Sequence, residues 1–195
     1  MSYHIYTTDG IVLKRKPFGE SNALFYVLTK DLGMVIASAQ AVRSNVSKLS
    51  SALQEYSLVT LSAVKGKNGW KITSAIPNEN FFFDLPQFAQ KLLAQIAEVL
   101  VRMMPGEERQ KEIFAVVQSG FAYLRYSVDE KEIADFECLM MLRILYLLGY
   151  INKDSKAEKF LVPISEWNKG ILLSVSPVKR EMVEKINKGL KESHL

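Results

Sequence analysis

The sequence has very little of the chemistry that binds metals or forms crosslinks. It contains one cysteine, Cys138, and two histidines, His4 and His194, in 195 residues. A single cysteine cannot form an intramolecular disulfide, and these three side chains are too few for a four-ligand zinc site. The apolar neighbours of Cys138 at helical spacing predict a buried, unreactive thiol. We therefore expect no metal, no cofactor and no thiol chemistry.

Long hydrophobic runs and common enzyme motifs are also missing. The longest apolar stretch, residues 138–148, is interrupted by Arg143 and is too short to cross a bilayer. The first residues lack the basic patch and apolar run of a signal peptide, so we expect a cytoplasmic protein without a membrane partner. No nucleotide-binding Gly-rich loop or Gly-x-Ser-x-Gly elbow is present. These absences predict that the protein is not an enzyme.

An acidic run at residues 129–137 is the one candidate for catalytic carboxylates. Glu132 and Asp135 would share a helical face, as the carboxylates of a metal-dependent nuclease could. However, acidic residues are favoured in the first turn of a helix by its dipole. No lysine or histidine accompanies them at a recurrent catalytic spacing, so the pattern favours a structural role.

Excess positive charge is confined to the first 80 residues. The formal net charge is +4. Residues 1–80 contain nine Lys or Arg and five Asp or Glu, whereas the remaining 115 residues contain 16 of each. This asymmetry predicts a polyanionic partner for the N-terminal region.

The same 80 residues have the pattern of a small β-barrel. Asn68-Gly69 is a strong hairpin signal, and Val46, Leu49 and Leu53 predict a short helix between the third and fourth strands. The order β-β-β-helix-β-β favours a five-stranded OB-fold over an SH3-like barrel. Five short segments rich in β-branched or aromatic residues are the predicted strands: 11–13, 24–28, 34–37, 56–64 and 70–73.

From Asp84 onward, apolar residues recur with a helical period. The pattern predicts one helix between Pro86 and residue 104, a second around residues 113–124, and a third, the most buried, that ends at Gly149. Residues 170–174 are predicted to be extended, and a last amphipathic helix begins at residues 176–177. The sequence thus predicts an α+β protein, with an OB-fold nucleic-acid-binding domain at residues 1–80 and an all-α helical domain at residues 81–195.

Two basic loops on the ligand-binding side of the predicted barrel form the candidate site. Cations that neutralise phosphates and rings that stack on bases are what sequence-tolerant binding of single-stranded DNA requires. Arg43 and Lys48, in the crossover before the fourth strand, are further candidates. An alternative is that these lysines are ordinary turn residues and that Trp70 only caps the core. The loop candidates are Lys14, Arg15, Lys16 and Phe18 in the first loop and Lys65, Lys67, Trp70 and Lys71 in the second.

The order of several motifs resembles the RecO family of recombination mediator proteins. The resemblance implies an OB domain followed by a helical domain, no catalysis, and annealing of complementary strands. It also implies binding to single-stranded and double-stranded DNA, and to RecR and the tail of the single-strand-binding protein, in the RecF pathway. The motifs are Gly10-Ile-Val-Leu13, Gly19-Glu-Ser21, Leu28-Thr29, Gly33, the crossover at residues 39–49, Phe136-Glu137, residues 145–150 and residues 186–193.

Two departures from the family pattern leave other functions open. Many members carry a four-cysteine zinc module after the helix that ends in Leu-Gly-Tyr, whereas a charged loop without cysteine follows Tyr150 here. The usual Lys-Gly-Ala-Arg-Arg crossover is replaced by residues 40–44, which lack two cations and a glycine. The alternatives are therefore a protein-interaction adaptor with a weakened DNA face and an RNA-binding OB-fold protein.

Overall fold

The N-terminal part of the chain forms a closed five-stranded barrel. The computed structural model describes residues 4–42, 47–104, 106–127, 130, 132–152 and 157–192. Neighbouring strands run antiparallel around the order β1-β2-β3-β5-β4, except that β3 and β5 are parallel. The strands are β1 (Ile5–Phe18), β2 (Asn22–Thr29), β3 (Gly33–Ala39), β4 (Ser57–Gly66) and β5 (Gly69–Asn80), with helix α1 (Lys48–Ala52) between β3 and β4. This order confirms the predicted OB-fold.

Alternate residues of each strand fill the barrel. Phe25 pairs with Ala37, which pairs with Trp70, and all three are buried. Because side chains alternate between the two faces of a strand, the residues on either side of these three point outward. The packed interior consists of Val12, Ala23, Phe25, Val27, Val35, Ala37, Ala39, Val42, Leu53, Val59, Leu61, Ala63, Trp70 and Ile72.

The first strand is much longer than predicted. It continues to Phe18, so Lys14, Arg15 and Lys16 are strand residues, and the turn to β2 comprises only residues 19–21. The prediction that these cations lie in a loop is therefore wrong. Their low strand propensity is overridden by pairing with β2, after a register shift between Val12 and Lys14.

The second predicted loop is also mostly strand. Lys65 lies in β4, whereas Trp70 and Lys71 lie in β5, and only Lys67 and Asn68 connect the two strands. The predicted hairpin is confirmed. In this hairpin Gly69 has a positive φ of +96°, as in a type I turn followed by a bulge.

Six helices and one 3-10 turn follow the barrel in the described part of the chain. The three predicted after Asp84 are present, and α4 is the most buried, with ten of its fifteen residues buried. Across the described ranges, none of the helices combines the length and hydropathy needed to span a membrane. The helices are α2 (Gln87–Met103), α3 (Lys111–Ser127), α4 (Ile133–Leu147), α5 (Glu158–Leu161), α6 (Lys169–Val175) and α7 (Lys179–Glu192), with a single 3-10 turn at Ser176–Val178 before α7.

The prediction of an extended segment at residues 170–174 is wrong, because these residues belong to α6. Asn168 caps this helix, since its side-chain oxygen accepts a hydrogen bond from the backbone N–H of Ile171 at 2.8 Å. A capping asparagine satisfies one of the free N–H groups at a helix start. The low helix propensity of Gly170 hides this signal in the sequence.

The chain divides into two compact units. The first comprises residues 1–83 and 97–111, and the second comprises residues 84–96 and 112–195. Helix α2 contributes its first half to the second unit and its second half to the first. The partition into domains 1–80 and 81–195 therefore stays a proposal.

A buried arginine lies on α4 in the second unit. The Arg143 side chain is fully buried, and its Nε and Nη1 donate to the carbonyl oxygens of Phe160 and Glu166 at 2.8 and 2.7 Å. Its guanidinium carbon lies 4.4 Å from the centre of the Trp167 ring. Burial lowers the pKa of Arg143 to about 10, so the group remains charged at neutral pH. The arginine that interrupts the apolar run therefore holds α4 to the chain around residues 160–167.

Gly33 allows residues 106–108 to lie against the start of β3. Its φ is +73°, and the backbone N–H of Met34 donates to the Gly106 carbonyl at 2.9 Å. A Cβ at position 33 would lie 2.2 Å from the Glu108 carbonyl oxygen. At Gly19, where φ is +64°, a Cβ would meet nothing within 4 Å.

We expect Gly33→Ala to destabilise the protein by at least about 1 kcal/mol more than Gly19→Ala, because only the former adds a backbone clash to the strain of a positive φ. Urea unfolding of the two variants measures the difference. Equal midpoints would show that residues 106–108 move away from β3 without penalty.

Candidate nucleic-acid interface

The outward side chains of four strands bring cations of two basic clusters onto one surface: Lys14 and Lys16 of the first cluster (Lys14, Arg15 and Lys16), and Lys71 of the second (Lys65, Lys67 and Lys71). Lys16 pairs with Leu24, Leu24 with Ser38, and Ser38 with Lys71. Directly opposed residues share a face of the sheet, so this row connects the clusters across β1, β2, β3 and β5. Three inter-strand spacings put Lys16 and Lys71 about 14 Å apart. We call this surface the outer face: Lys14, Lys16, Phe18, Leu24, Tyr26, Ile36, Ser38 and Lys71.

Aromatic and apolar side chains lie among these cations. The Nζ of Lys16 is 5.2 Å from the centre of the Tyr26 ring. Phe18 is 54% exposed and Ile36 is 48% exposed, high values for large apolar side chains. Tyr26 pairs across the sheet with both Lys14 and Ile36. The outer face thus offers cations for phosphates and rings for bases.

Sequence reasoning missed Tyr26 and Ile36. Both lie in predicted strands, and a candidate site built from the two basic loops does not include them. Tyr26 lies between Phe25 and Val27, which are buried, so alternation along β2 would have placed its ring on the outside.

Three of the predicted lysines already have polar partners. Lys14 forms an ion pair with Glu98. The Nζ of Lys65 lies 2.5 Å from a Glu107 carboxylate oxygen, and the Nζ of Lys71 donates to the neutral side-chain oxygen of Gln40 at 2.8 Å. The hydrogen bond from Lys65 is the main reason why the pKa of Glu107 is below its usual value.

Trp70 is a core residue and not a stacking platform. It is 6% exposed and packs edge-on against Tyr6, with ring centres 5.1 Å apart. Its indole nitrogen is buried, and among the described residues it has no hydrogen-bond partner of good geometry. The indole N–H is still close enough to the Glu107 carboxylate to help lower its pKa. A buried ring presents no face to a base, so we withdraw Trp70 from the candidate site, in favour of the alternative in which it caps the core.

The remaining predicted DNA contacts either lie away from the outer face or fall outside the residues that the structure describes. Arg15 is half-buried, with its guanidinium carbon 5.8 Å from the centre of the Phe25 ring, and its backbone N–H donates to Glu55 at 2.7 Å. Lys67 is exposed in the hairpin turn. Arg43 lies outside the described residues, as does the side chain of Lys48 in α1.

The two carboxylates considered as catalytic have structural partners. Glu132 lies 3.1 Å from the Nζ of Lys169, and Ser176 donates to Asp135 at 3.0 Å. The other oxygen of Asp135 lies 3.1 Å from the Nζ of Lys179, without the alignment of a hydrogen bond. Within the described ranges, no three His, Cys, Asp or Glu side chains are grouped closely enough to hold a metal ion.

Cys138 is buried, as its apolar neighbours predict. Burial raises the pKa of its thiol to about 11, which keeps the sulfur protonated at neutral pH.

Comparison with known proteins points to one family. Residues 1–81 match the sequence profile described as "Recombination protein O N terminal". The DNA repair protein RecO of Heliobacterium modesticaldum is 30% identical over 149 residues, which are 75% of this chain and 52% of that protein. RecO of Thermodesulfovibrio yellowstonii is 28% identical over 152 residues, 75% of this chain and 58% of that protein. The chain spans about half the length of these curated relatives.

Proposed function

We propose that the protein acts in recombinational DNA repair, because residues 1–81 match the RecO N-terminal profile and the likeness to RecO of Heliobacterium modesticaldum covers 75% of the chain. We propose that it does so by binding single-stranded DNA and annealing complementary strands. The observation that carries this proposal is the outer face, where one row of paired residues links Lys16 to Lys71 across four strands.

The composition of the outer face favours single strands without sequence preference. Lysines act as point charges toward phosphates, and the exposed ring of Phe18 and the half-buried ring of Tyr26 can stack on any base. A set of side chains suited to reading base edges is not found among its members, which include only one short hydroxyl, Ser38. Annealing requires only that two strands are neutralised while their bases remain free to pair, so no catalytic step is needed.

Further elements of the proposal come from the family resemblance. They are binding to duplex DNA and contacts with a RecR-like partner and with the tail of a single-strand-binding protein, whereas the proposed cytoplasmic location comes from the sequence pattern. These contacts concern the whole protein, and the chain matches only about half the length of its relatives.

We expect binding to a labelled oligothymidylate to weaken steeply with salt. If about three to five phosphates are neutralised, the slope of log K against log salt concentration should be about −2 to −3.5. Fluorescence anisotropy over a salt series gives this slope. Absence of binding at low salt would contradict the proposal.

The same preparation should accelerate annealing of two complementary oligonucleotides without ATP. Normal binding without acceleration would favour the adaptor function. Tighter binding to an RNA of the same sequence would favour the RNA-binding alternative, because the 2′-hydroxyl distinguishes the two ligands.

A further inference from the structure

Each of the two basic clusters contains one lysine that is held by a glutamate from the same segment of the chain. In the first cluster Lys14 pairs with Glu98, and in the second the Nζ of Lys65 lies 2.5 Å from Glu107. Glu98 lies in the second half of α2 and Glu107 lies just after this helix. Both belong to the same compact unit as the barrel.

We infer that Glu98 and Glu107 compete with DNA phosphates for Lys14, on the outer face, and for Lys65, which lies outside that face but pairs with Trp70, the residue before Lys71. The two glutamates would thus set the affinity for DNA from within the chain. This inference rests on the proposed function. A carboxylate beside a lysine ammonium compensates its charge and repels a phosphate, so the lysine attracts phosphate less strongly while its ion pair with glutamate is intact.

The backbone holds these glutamates beside the barrel. Met34 donates to the Gly106 carbonyl at 2.9 Å, and Arg109 pairs with Asp31 at 2.8 Å. The two carboxylates are therefore present at a high effective concentration, unlike free anions in solution. The lowered pKa of Glu107 keeps this carboxylate ionised at neutral pH.

The exposure of the pairs indicates that they reduce binding without preventing it. The side chains of Glu98 and Glu107 are 54% and 44% exposed, so phosphates can approach from solvent. An exposed ion pair changes an equilibrium constant by no more than about fivefold. Two such pairs together reduce DNA affinity by up to about 25-fold.

The test replaces both carboxylates by amides of the same shape. We expect Glu98→Gln with Glu107→Gln to bind a labelled oligothymidylate about five- to twentyfold more tightly than the unmodified protein at low salt. With two more lysines available, its salt slope should be steeper by about 1.4.

The matched control is Glu184→Gln with Glu192→Gln. These two glutamates also pair with exposed cations, Arg180 and Lys188 on α7, and their replacement gives the same change in net charge. It should alter the affinity less than about twofold, because long-range effects of exposed charges are screened by salt.

A second comparison shows whether the effect acts through the two lysines. In a Lys14→Gln and Lys65→Gln background, the glutamate substitutions at positions 98 and 107 should have no more effect than the control pair. Suppose that the unmodified protein binds DNA, and that the double variant at positions 98 and 107 changes the affinity no more than the double variant at positions 184 and 192. The inference is then wrong, while the proposed function stands. If no variant binds DNA, both are wrong.

Discussion

The variant Lys16→Glu with Lys71→Glu is expected to bind single-stranded DNA at least about a hundredfold more weakly, if each reversal contributes about 1.4 kcal/mol. Each substitution removes a phosphate contact from the outer face and adds a charge that repels the backbone. The salt slope should also become shallower by about 1.4, since two phosphates are no longer neutralised. Fluorescence anisotropy with a labelled oligothymidylate measures both quantities.

The fold should tolerate this change. Lys16 is exposed, and Lys71 is half-buried and donates to the neutral side chain of Gln40. Surface substitutions of this kind usually change stability by no more than about 0.5 kcal/mol. An unchanged thermal midpoint therefore accompanies the expected loss of binding.

A charge-matched variant separates the outer face from the net charge of the chain. Arg180→Glu with Lys188→Glu makes the same charge change on α7, where these side chains are 95% and 80% exposed. We expect it to weaken binding by less than about threefold, because screening limits the range of exposed charges. Equal losses in both variants would show that DNA does not bind specifically at the outer face, and Arg43 and Lys48 would then be tested.

Arg143→Ala is expected to destabilise the helical unit by about 3 to 5 kcal/mol. The substitution removes the donors to the carbonyls of Phe160 and Glu166 and leaves a cavity beside Trp167. Arg143→Lys should recover only part of the loss, because an ammonium cannot reproduce the planar fork that reaches both carbonyls. The midpoint of urea unfolding, followed by helical circular dichroism, measures the effect.

Arg180→Ala is the control for this experiment. It removes the same side-chain type from a solvated helix surface, where the loss should be within about 0.5 kcal/mol. A loss below about 1 kcal/mol for Arg143→Ala would mean that water or rearranged side chains replace the guanidinium.

The fold could be predicted because its elements follow local patterns. Short segments rich in β-branched or aromatic residues and the Asn68-Gly69 turn located the strands, and the helical period after Asp84 located three long helices. The features that local patterns did not predict depend on contacts with residues far away in the sequence. Residues 14–18 carry too many cations to suggest a strand, yet β2 pairs with them. Similarly, Arg143 is buried because residues 160–167, far along the chain, supply its acceptors.

The candidate site was predicted in part. Composition identified Lys16 and Lys71, but only the register of β1, β2, β3 and β5 shows that they share a row. Trp70 lies beside a hairpin turn, where an indole can point in or out, and the pairing with Ala37 places it inside. The glutamates that hold Lys14 and Lys65 follow them by 84 and 42 positions, so no local motif could identify these pairs.

The placement of the two tryptophans determines what intrinsic fluorescence can report. Trp70 belongs to the barrel unit, where it is buried against Tyr6, and Trp167 belongs to the helical unit, where it packs against Phe136 and Arg143. Each unit thus has its own emission probe. A Trp70→Phe variant retains the signal of the helical unit alone, and a Trp167→Phe variant retains that of the barrel. Since the Trp70 ring faces the barrel interior, quenching of its emission by DNA would report a change in barrel packing and not stacking on a base.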